Sequence, residues 1–394
     1  MKGSRNLNMT QGNPTRLLIY FAIPMLIGNL FQQAYSLTDS VIVGQVLGAD
    51  SFAAVGSTGS VTFLFFSICN GISSGAGIVT AQFFGAGKFE RTKRSIANAA
   101  YIMFVTSFVM GVVAFFAAPM VLDLMEVPSK LKNDAVTYMR MSCIGVPLVA
   151  VYNHSSSMLR ALGDSRTPLY FLIFSCFLNI VLDILFVYVF GMGVFGAALA
   201  TIIAQLVAGL GCLAYAVKHN PYFMLERKDY QPDREVILQS IRLGLPLALQ
   251  WSLIAISSTA LQSFVNTFGT STVAAFTATN RIEQLVHQPY GSLGAALATY
   301  SGQNFGAKKM DRVELGLRKS VQIAMLMAIL IGSAVIIWGK QLLRLFIQDD
   351  PAIVEQVLIY GYRFLVFMGA SLFALYLLFV FRSALQGLGD TFTS

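Results

Sequence analysis

Apolar residues along this chain gather into long blocks, separated by short stretches that are charged or rich in Gly and Pro. Crossing a bilayer as a helix takes about 20 predominantly apolar residues. Ten blocks reach that length: Leu17 to Val43, Phe52 to Phe84, Ser95 to Leu122, Ala135 to Leu159, Pro168 to Phe190, Val194 to Val217, Val236 to Phe268, Thr272 to Phe305, Val321 to Phe346 and Val354 to Leu385. The pattern predicts an all-α, polytopic membrane protein. Pro24, Pro147, Pro246 and Pro289 fall within blocks and mark places where a helix can bend.

The punctuation between blocks repeats. LGADSFAAVG at Leu47 is matched by FGTSTVAAFT at Phe268, an offset of 221, and AQFFGAGKFER at Ala81 is matched by GQNFGAKKMDR at Gly302 with the same offset. LGD at Leu162 recurs at Leu388, an offset of 226. Internal repeats are common in transporters. Here the basic loop follows the second helix of both halves, so the repeats are parallel. The expected organisation is an N-lobe over residues 1–217 with six helices, a charged linker over 218–235, and a C-lobe over 236–394 with four. Two helices follow LGD in the first half, whereas the sequence stops four residues after it in the second. By symmetry, two further helices of roughly 55 residues are expected, so the chain reads as a C-terminally truncated six-plus-six bundle.

Composition agrees with a bilayer. Only 12% of the 394 residues are charged and 56% are hydrophobic, with a mean hydropathy of +0.66; soluble domains carry about 25% charge. The first sixteen residues are hydrophilic and contain no removable signal peptide, which leaves the first helix as the insertion signal. The formal charge of +8 resides mainly in loops, which argues against a nucleic-acid partner. Of 27 Lys and Arg, 20 fall on the side that carries the N-terminus, and only Lys130, Lys132, Arg140, Lys340, Arg344 and Arg363 fall on the other. The positive-inside rule then predicts a cytoplasmic N-terminus in a multi-pass protein of the plasma or inner membrane. On this reading Arg160 and Arg382 belong to the cytoplasmic side, and Arg281 is the basic residue within a span.

Ionisable groups inside spans cost a few kcal/mol each and are functional candidates for that reason. Asp39, in QQAYSLTDSVIVG, lies toward the outer end of the first helix, with Tyr35 and Ser36 one turn earlier. Asp183, in FLNIVLDILFV, lies in the outer half of the fifth, with Asn179 one turn before it. Two carboxylates at similar depth can share a proton or a sodium ion; the alternative is that hydroxyls or amides cap each one and it serves only helix packing. The second half lacks matching aspartates. Its eighth helix instead places Asn280, Glu283, Gln284 and His287 at i, i+3, i+4 and i+7, one polar stripe expected to face a cavity.

Other chemistry is not supported. FGAGKFE lacks the upstream Gly and the following Ser/Thr of a phosphate-binding loop. GISSGAG is a run of small residues in a span, suited to close helix contact. Cys69, Cys143, Cys176 and Cys212 stand singly in apolar runs as packed small hydrophobes, and the three His show no ligand spacing. No cofactor, resident metal or enzyme activity is expected, and transport has to draw on an ion gradient or on the substrate itself.

In this order and spacing, IPMLIGNLFQQAYSLTDSVIVGQVLG, the QFFGAGK loop, RALGDSRTP, NIVLD and GAALATIIAQ resemble the multidrug and toxic compound extrusion (MATE) family, nearest to its bacterial DinF-like and MepA-like members. The resemblance covers the whole chain. It implies two helical lobes around a V-shaped cavity that alternates between faces and exports cationic amphipathic compounds in exchange for H+ or Na+. It makes Asp39 the first-helix carboxylate, Asn179 and Asp183 its fifth-helix partners, Thr201 a further member of the cation-coupling set and Pro24 a hinge. Tyr35, Glu283, Asn280, Gln284 and His287 are the expected cavity residues, with Na+ at Asp39 and Asp183 as the alternative to a proton. A monomer in the lipid bilayer is expected. The competing readings are a flippase for lipid-linked precursors, which would call for a cationic cavity, and a membrane scaffold or receptor, which leaves Asp39 and Asp183 without a purpose.

Overall fold

The computed structural model describes residues 6–125, 127–345 and 351–394, and these contain helices and loops but no strand. Helices α1 (Pro14–Gly48) and α2 (Asp50–Gly85) form one helical stretch interrupted at Gly48. There the backbone turns to φ 88°, a conformation open to glycine and costly to other residues. The sequence predicts a loop between these spans, and the structure reduces it to this single break. The rest are α3 (Phe89–Leu124), α4 (Ser129–Ala161), α5 (Arg166–Val189), α6 (Gly193–His219), α7 (Arg234–Phe268), α8 (Thr270–Gly306), α9 (Met310–Arg344) and α10 (Pro351–Leu388). All but α8 are apolar enough over a sufficient length to cross a membrane; α8 carries the polar stripe. Phe346, the predicted end of the ninth block, lies outside the described residues.

The helices outrun the apolar blocks because polar residues at their ends satisfy backbone groups that would otherwise be left over. Asn13 caps α1, and Pro14 takes the first helical position, where it needs no N–H partner. Asp233 accepts from the N–H groups of Glu235 and Val236 at the start of α7. Within RALGDSRTP, Asp164 accepts from the N–H groups of Arg166 and Thr167, both at 3.0 Å, and from the Thr167 hydroxyl at 2.6 Å. Gly163, at φ 88°, makes the turn. This segment is architectural.

Small residues bring the two halves together. On α2, Ser67, Gly71 and Gly75 are spaced by one turn and oppose Ser252, Ala248 and Gly244 of α7 in reverse order. The two serine hydroxyls are 2.9 Å apart. A Cβ at Gly71 would come within 2.4 Å of the Ala248 backbone, and one at Gly75 within 2.4 Å of Gly244. The GISSGAG run is therefore a backbone-to-backbone seam, as its composition suggests. At the end of the bundle where basic residues collect, the final turns of α2 and α8 cross. A Cβ at Gly85 would lie 1.9 Å from the Gln303 carbonyl oxygen, and one at Gly306 would lie 1.9 Å from the Gln82 carbonyl oxygen. The motif repeated at an offset of 221 thus meets its own copy across a pseudo-two-fold axis.

Two further segments close this basic end. Residues 6–13 run between the halves. Asn6 and Asn220 exchange side-chain hydrogen bonds of 2.9 and 3.3 Å. Met9 is fully buried among residues of the second half, including Tyr300. Its carbonyl accepts from Asn304 at 3.1 Å and Arg312 at 3.2 Å, while Lys309 donates to Thr10 O at 3.0 Å. The linker after α6 folds into two short turns, Pro221–Phe223 and Arg227–Tyr230. It docks on α3 through buried Lys93, whose ammonium is 3.1 Å from buried Asp229, and through Asn98, which accepts from Asp233 N at 2.9 Å.

Candidate functional site

The carboxyl groups of Asp39 on α1 and Asp183 on α5 lie within hydrogen-bonding reach of each other. Asp183 is fully buried and Asp39 is half-buried. Asn179, one helical turn before Asp183, stands between that carboxylate and α6. With its amide nitrogen toward Asp183 it donates to Oδ2 at 3.0 Å and accepts from Thr201 N at 3.3 Å. The reverse orientation would set its carbonyl oxygen against the carboxylate, which is electrostatically unfavourable. Tyr35 reaches Thr201 from α1, and Tyr138 of α4 comes close to both aspartates and Tyr35. One oxygen on each carboxyl, Oδ1 of Asp39 and Oδ1 of Asp183, is buried without a hydrogen-bond partner.

Helix geometry positions this cluster. Asp39 follows Tyr35 by one turn, so both occupy one face of α1. Immediately after Asp183 the α-helix gives way to a π-helical turn over Ile184–Val189, where Phe190 N bonds to Leu185 O. Such irregularities are rare and frequent at functional sites. The sequence brings Asp39, Asp183, Asn179, Thr201 and Tyr35 into consideration, and the structure gathers all five. Tyr138 carries no charge and lies in a different helix from either aspartate, so its place beside them is legible only in three dimensions.

Tyr35 and Thr201 also line a cavity of about 470 Å³ enclosed by α1, α2, α4, α5 and α6. Asn29, Gln32, Asn70, Asn153 and Gln205 supply amides, and Met25, Phe63, Phe66 and Leu172 supply apolar walls. Pro24 lines it too, with α1 keeping helical backbone angles as it passes that residue. The sequence assigns Arg160 to the cytoplasmic side by the alternation of basic loops, and the structure adds that it lines this cavity. Arg382 packs over the rings of Phe379 at 4.7 Å and Trp251 at 5.8 Å.

The polar stripe of α8 is separate from this cavity. His287 Nε2 stands 3.3 Å from Glu283 Oε1, an ion-pair distance without hydrogen-bond geometry. Gln284 accepts from Gln33 of α1 at 3.2 Å, and Asn280 is half-buried one turn earlier. Next to His287, Tyr290 packs against Tyr376 and Phe379 with ring centroids 4.9 and 4.3 Å apart. The stripe therefore joins α1 through Gln284 and leads through aromatic rings toward Arg382, and the cavity set expected from sequence divides between the two halves.

Helix halves related by a pseudo-two-fold axis, with an acidic pair beside an intramembrane cavity, define a multi-pass membrane transporter. The chain belongs to the MatE family, whose model matches it twice, over residues 24–185 and 246–394. It is similar to the probable multidrug resistance protein YpnP of Bacillus subtilis (strain 168), 33% identical over 367 residues covering 92% of this chain and 82% of the relative. It is also similar to an FAD transporter of Shewanella oneidensis, 27% identical over 88% of this chain and 77% of that one. Among solved structures, a MOP superfamily transporter from Pyrococcus furiosus aligns with a TM-score of 0.88 at 26% identity, covering 99% of this chain and 86% of that chain. The outward-facing conformation of a multidrug resistance MATE family transporter aligns with a TM-score of 0.87 at 26% identity over 99% and 86%.

Proposed function

We propose that this protein is a multidrug efflux antiporter of the plasma membrane, exporting cationic amphipathic compounds in exchange for H+ or Na+ by alternating access. The observation that carries the proposal is the Asp39–Asp183 pair. Two carboxylates within hydrogen-bonding reach, in a site with few polar partners, cannot both hold unneutralised charge. They share a proton or bind a cation. Asn179, Thr201 and Tyr35 link the pair to the cavity, so a bound proton or Na+ lowers the negative potential felt by a cationic substrate. Ion and substrate then exclude one another, which is the coupling an antiporter needs.

With the N-terminus in the cytoplasm, the closed basic end makes this an outward-open arrangement. Pro24 and Asp39 share α1, so a change of charge at Asp39 can be transmitted to a bend at Pro24. The monomer suffices, since the acidic pair and the cavity lie within one half. Arg160 in the cavity wall removes one argument against a lipid-linked precursor flippase, but the multidrug resistance proteins among the relatives support drug export instead. In proteoliposomes with separately imposed proton and sodium gradients, Asp39→Asn is expected to abolish drug-dependent ion exchange while the protein still folds. Unchanged exchange in that variant would defeat the proposal.

A further inference from the structure

Residues 6–12 touch both halves at the closed basic end, and they hold the two with unequal strength. Towards the second half, Met9 is fully buried in the core around Tyr300, and its N–H donates to Gln303 Oε1 at 2.9 Å. The carbonyl oxygens of Met9 and Gly12 accept from the Arg312 guanidinium at 3.2 and 3.0 Å, and that of Thr10 accepts from the Lys309 ammonium at 3.0 Å. Hydrogen bonds from charged donors are roughly twice as strong as neutral ones. Towards the first half, Asn6 exchanges neutral amide bonds with Asn220 at the end of α6. Leu7 lies on Gly163, where a Cβ would come within 2.2 Å of the Leu7 carbonyl oxygen.

Gln303 joins the two sets of contacts. Its Oε1 is taken by Met9 N, which turns its Nε2 toward the Ala161 carbonyl oxygen at the end of α4, 3.0 Å away. The segment therefore also orients the amide that ties α8 to the first half. Alternating access requires the two halves to part at this end, and a segment bonded to both must then release one of them. We infer that residues 6–12 are a latch on the basic end. They stay in the second half, held by Arg312, Lys309 and buried Met9, and their contacts with Asn220 and Gly163 break and re-form each time that end opens. The inference rests on the transporter reading and adds to it an element that sets how often the basic end opens.

The test uses the full chain in lipid nanodiscs, with spin labels on cysteines at exposed Lys218 of the first half and exposed Arg318 of the second. The four native cysteines are buried. Asn6→Ala removes the amide pair with Asn220 and is expected to raise the fraction with the basic end open by roughly five-fold, the worth of a neutral hydrogen bond. Arg312→Gln loosens the anchor in the second half and is expected to raise it by about ten-fold or more, the worth of a hydrogen bond to a charged group. A label pair within the first half, at exposed Lys88 and Lys218, is expected to keep its distance in both variants. The latch is overturned if the open fraction fails to rise in one variant or the other, or if the pair within the first half lengthens equally. A cross-link decides the matter if Arg312→Gln does not fold: Asn6→Cys and Asn220→Cys joined by a short bis-methanethiosulfonate reagent that reduction removes. In proteoliposomes the joined protein is expected to stop moving drug and to recover on reduction, and full transport while joined overturns the latch. If the unjoined protein moves no drug, the transporter reading falls, while the spin-label distances still decide the latch.

Discussion

Gln303 donates its side-chain amide to the carbonyl oxygen of Ala161 at 3.0 Å, tying α8 of the second half to the end of α4 in the first. The pseudo-symmetric bond is present as well: Gln82 donates to Gly387 O at 3.1 Å, in the last turn of α10. Each glutamine satisfies a terminal helix carbonyl that the helix itself leaves open. One difference breaks the symmetry, because Gln303 Oε1 also accepts from Met9 N at 2.9 Å. Gln303→Ala therefore leaves two buried backbone groups unpaired, and Gln82→Ala leaves one. At about 1–3 kcal/mol for each unsatisfied group, Gln303→Ala is expected to lower thermal stability more than Gln82→Ala. It should also raise amide exchange in residues 6–13, which Gln82→Ala should spare. Equal effects on that segment would show that Met9 is held elsewhere.

The crossing beneath these bonds tolerates no side chain. A Cβ at Gly306 would lie 1.9 Å from a backbone oxygen, and backbone yields far less than a flexible side chain. Gly306→Ala is expected to force α2 and α8 apart, at a cost of about 1–3 kcal/mol typical of overpacking. With spin labels at exposed Lys88 and Lys308, which flank the crossing, the distance distribution should lengthen and broaden. An unchanged distribution would mean that the helices do not depend on this contact to close the basic end.

Much of this architecture is legible in the sequence. Charge and Gly/Pro punctuation locate each helix because a span must be apolar along its length. Asp39 and Asp183 stand out because charge inside a span is expensive. Rotation about the helix axis is less legible. Arg160 reads as a group on the cytoplasmic side, but depth along a helix does not say whether a side chain faces water, lipid or a neighbour. The segment over residues 6–13 is hydrophilic in sequence, and nothing in that composition shows that its backbone groups are the ones Gln303, Asn304, Lys309 and Arg312 satisfy. The repeated QFFGA and QNFGA motifs are plain as repetition. That the copies touch each other follows only from a two-fold axis passing between them.

The linker has its own clasp, and pH tests it. Burial alone would raise the Asp229 carboxyl, but the Glu226 N–H and the Lys93 ammonium outweigh that and hold it below its ordinary value. A carboxyl depressed in the folded state stabilises above its unfolded value of about 3.9 and loses that contribution as pH falls through the folded value. Docking of residues 226–233 on α3 is accordingly expected to be unchanged between about pH 8 and 5 and to loosen below about pH 4. Asp229→Asn should strand Lys93 without its buried partner and loosen the linker at all pH values, by about 3–5 kcal/mol of local stability. Hydrogen exchange of residues 226–233 across this range is the measurement. Loosening as pH rises toward neutrality would contradict the assignment.

The two aspartates invite a test of whether they act as one group. If Asp39 and Asp183 share a single proton or Na+, either Asn substitution alone destroys the shared site, and the second has little left to remove. Residues that act as a unit show this strong departure from additivity. Asp39→Asn and Asp183→Asn are each expected to reduce drug-dependent ion exchange by about ten-fold or more, with the double variant no worse than about two-fold below the weaker single one. Thr201→Ala retains both carboxylates and so should retain ion dependence, though it removes the hydroxyl that Tyr35 reaches and that faces the cavity. Initial exchange rates in proteoliposomes measure all four variants. Multiplicative losses in the double variant would show that the carboxylates bind ions independently, and would leave the contact between them as packing alone.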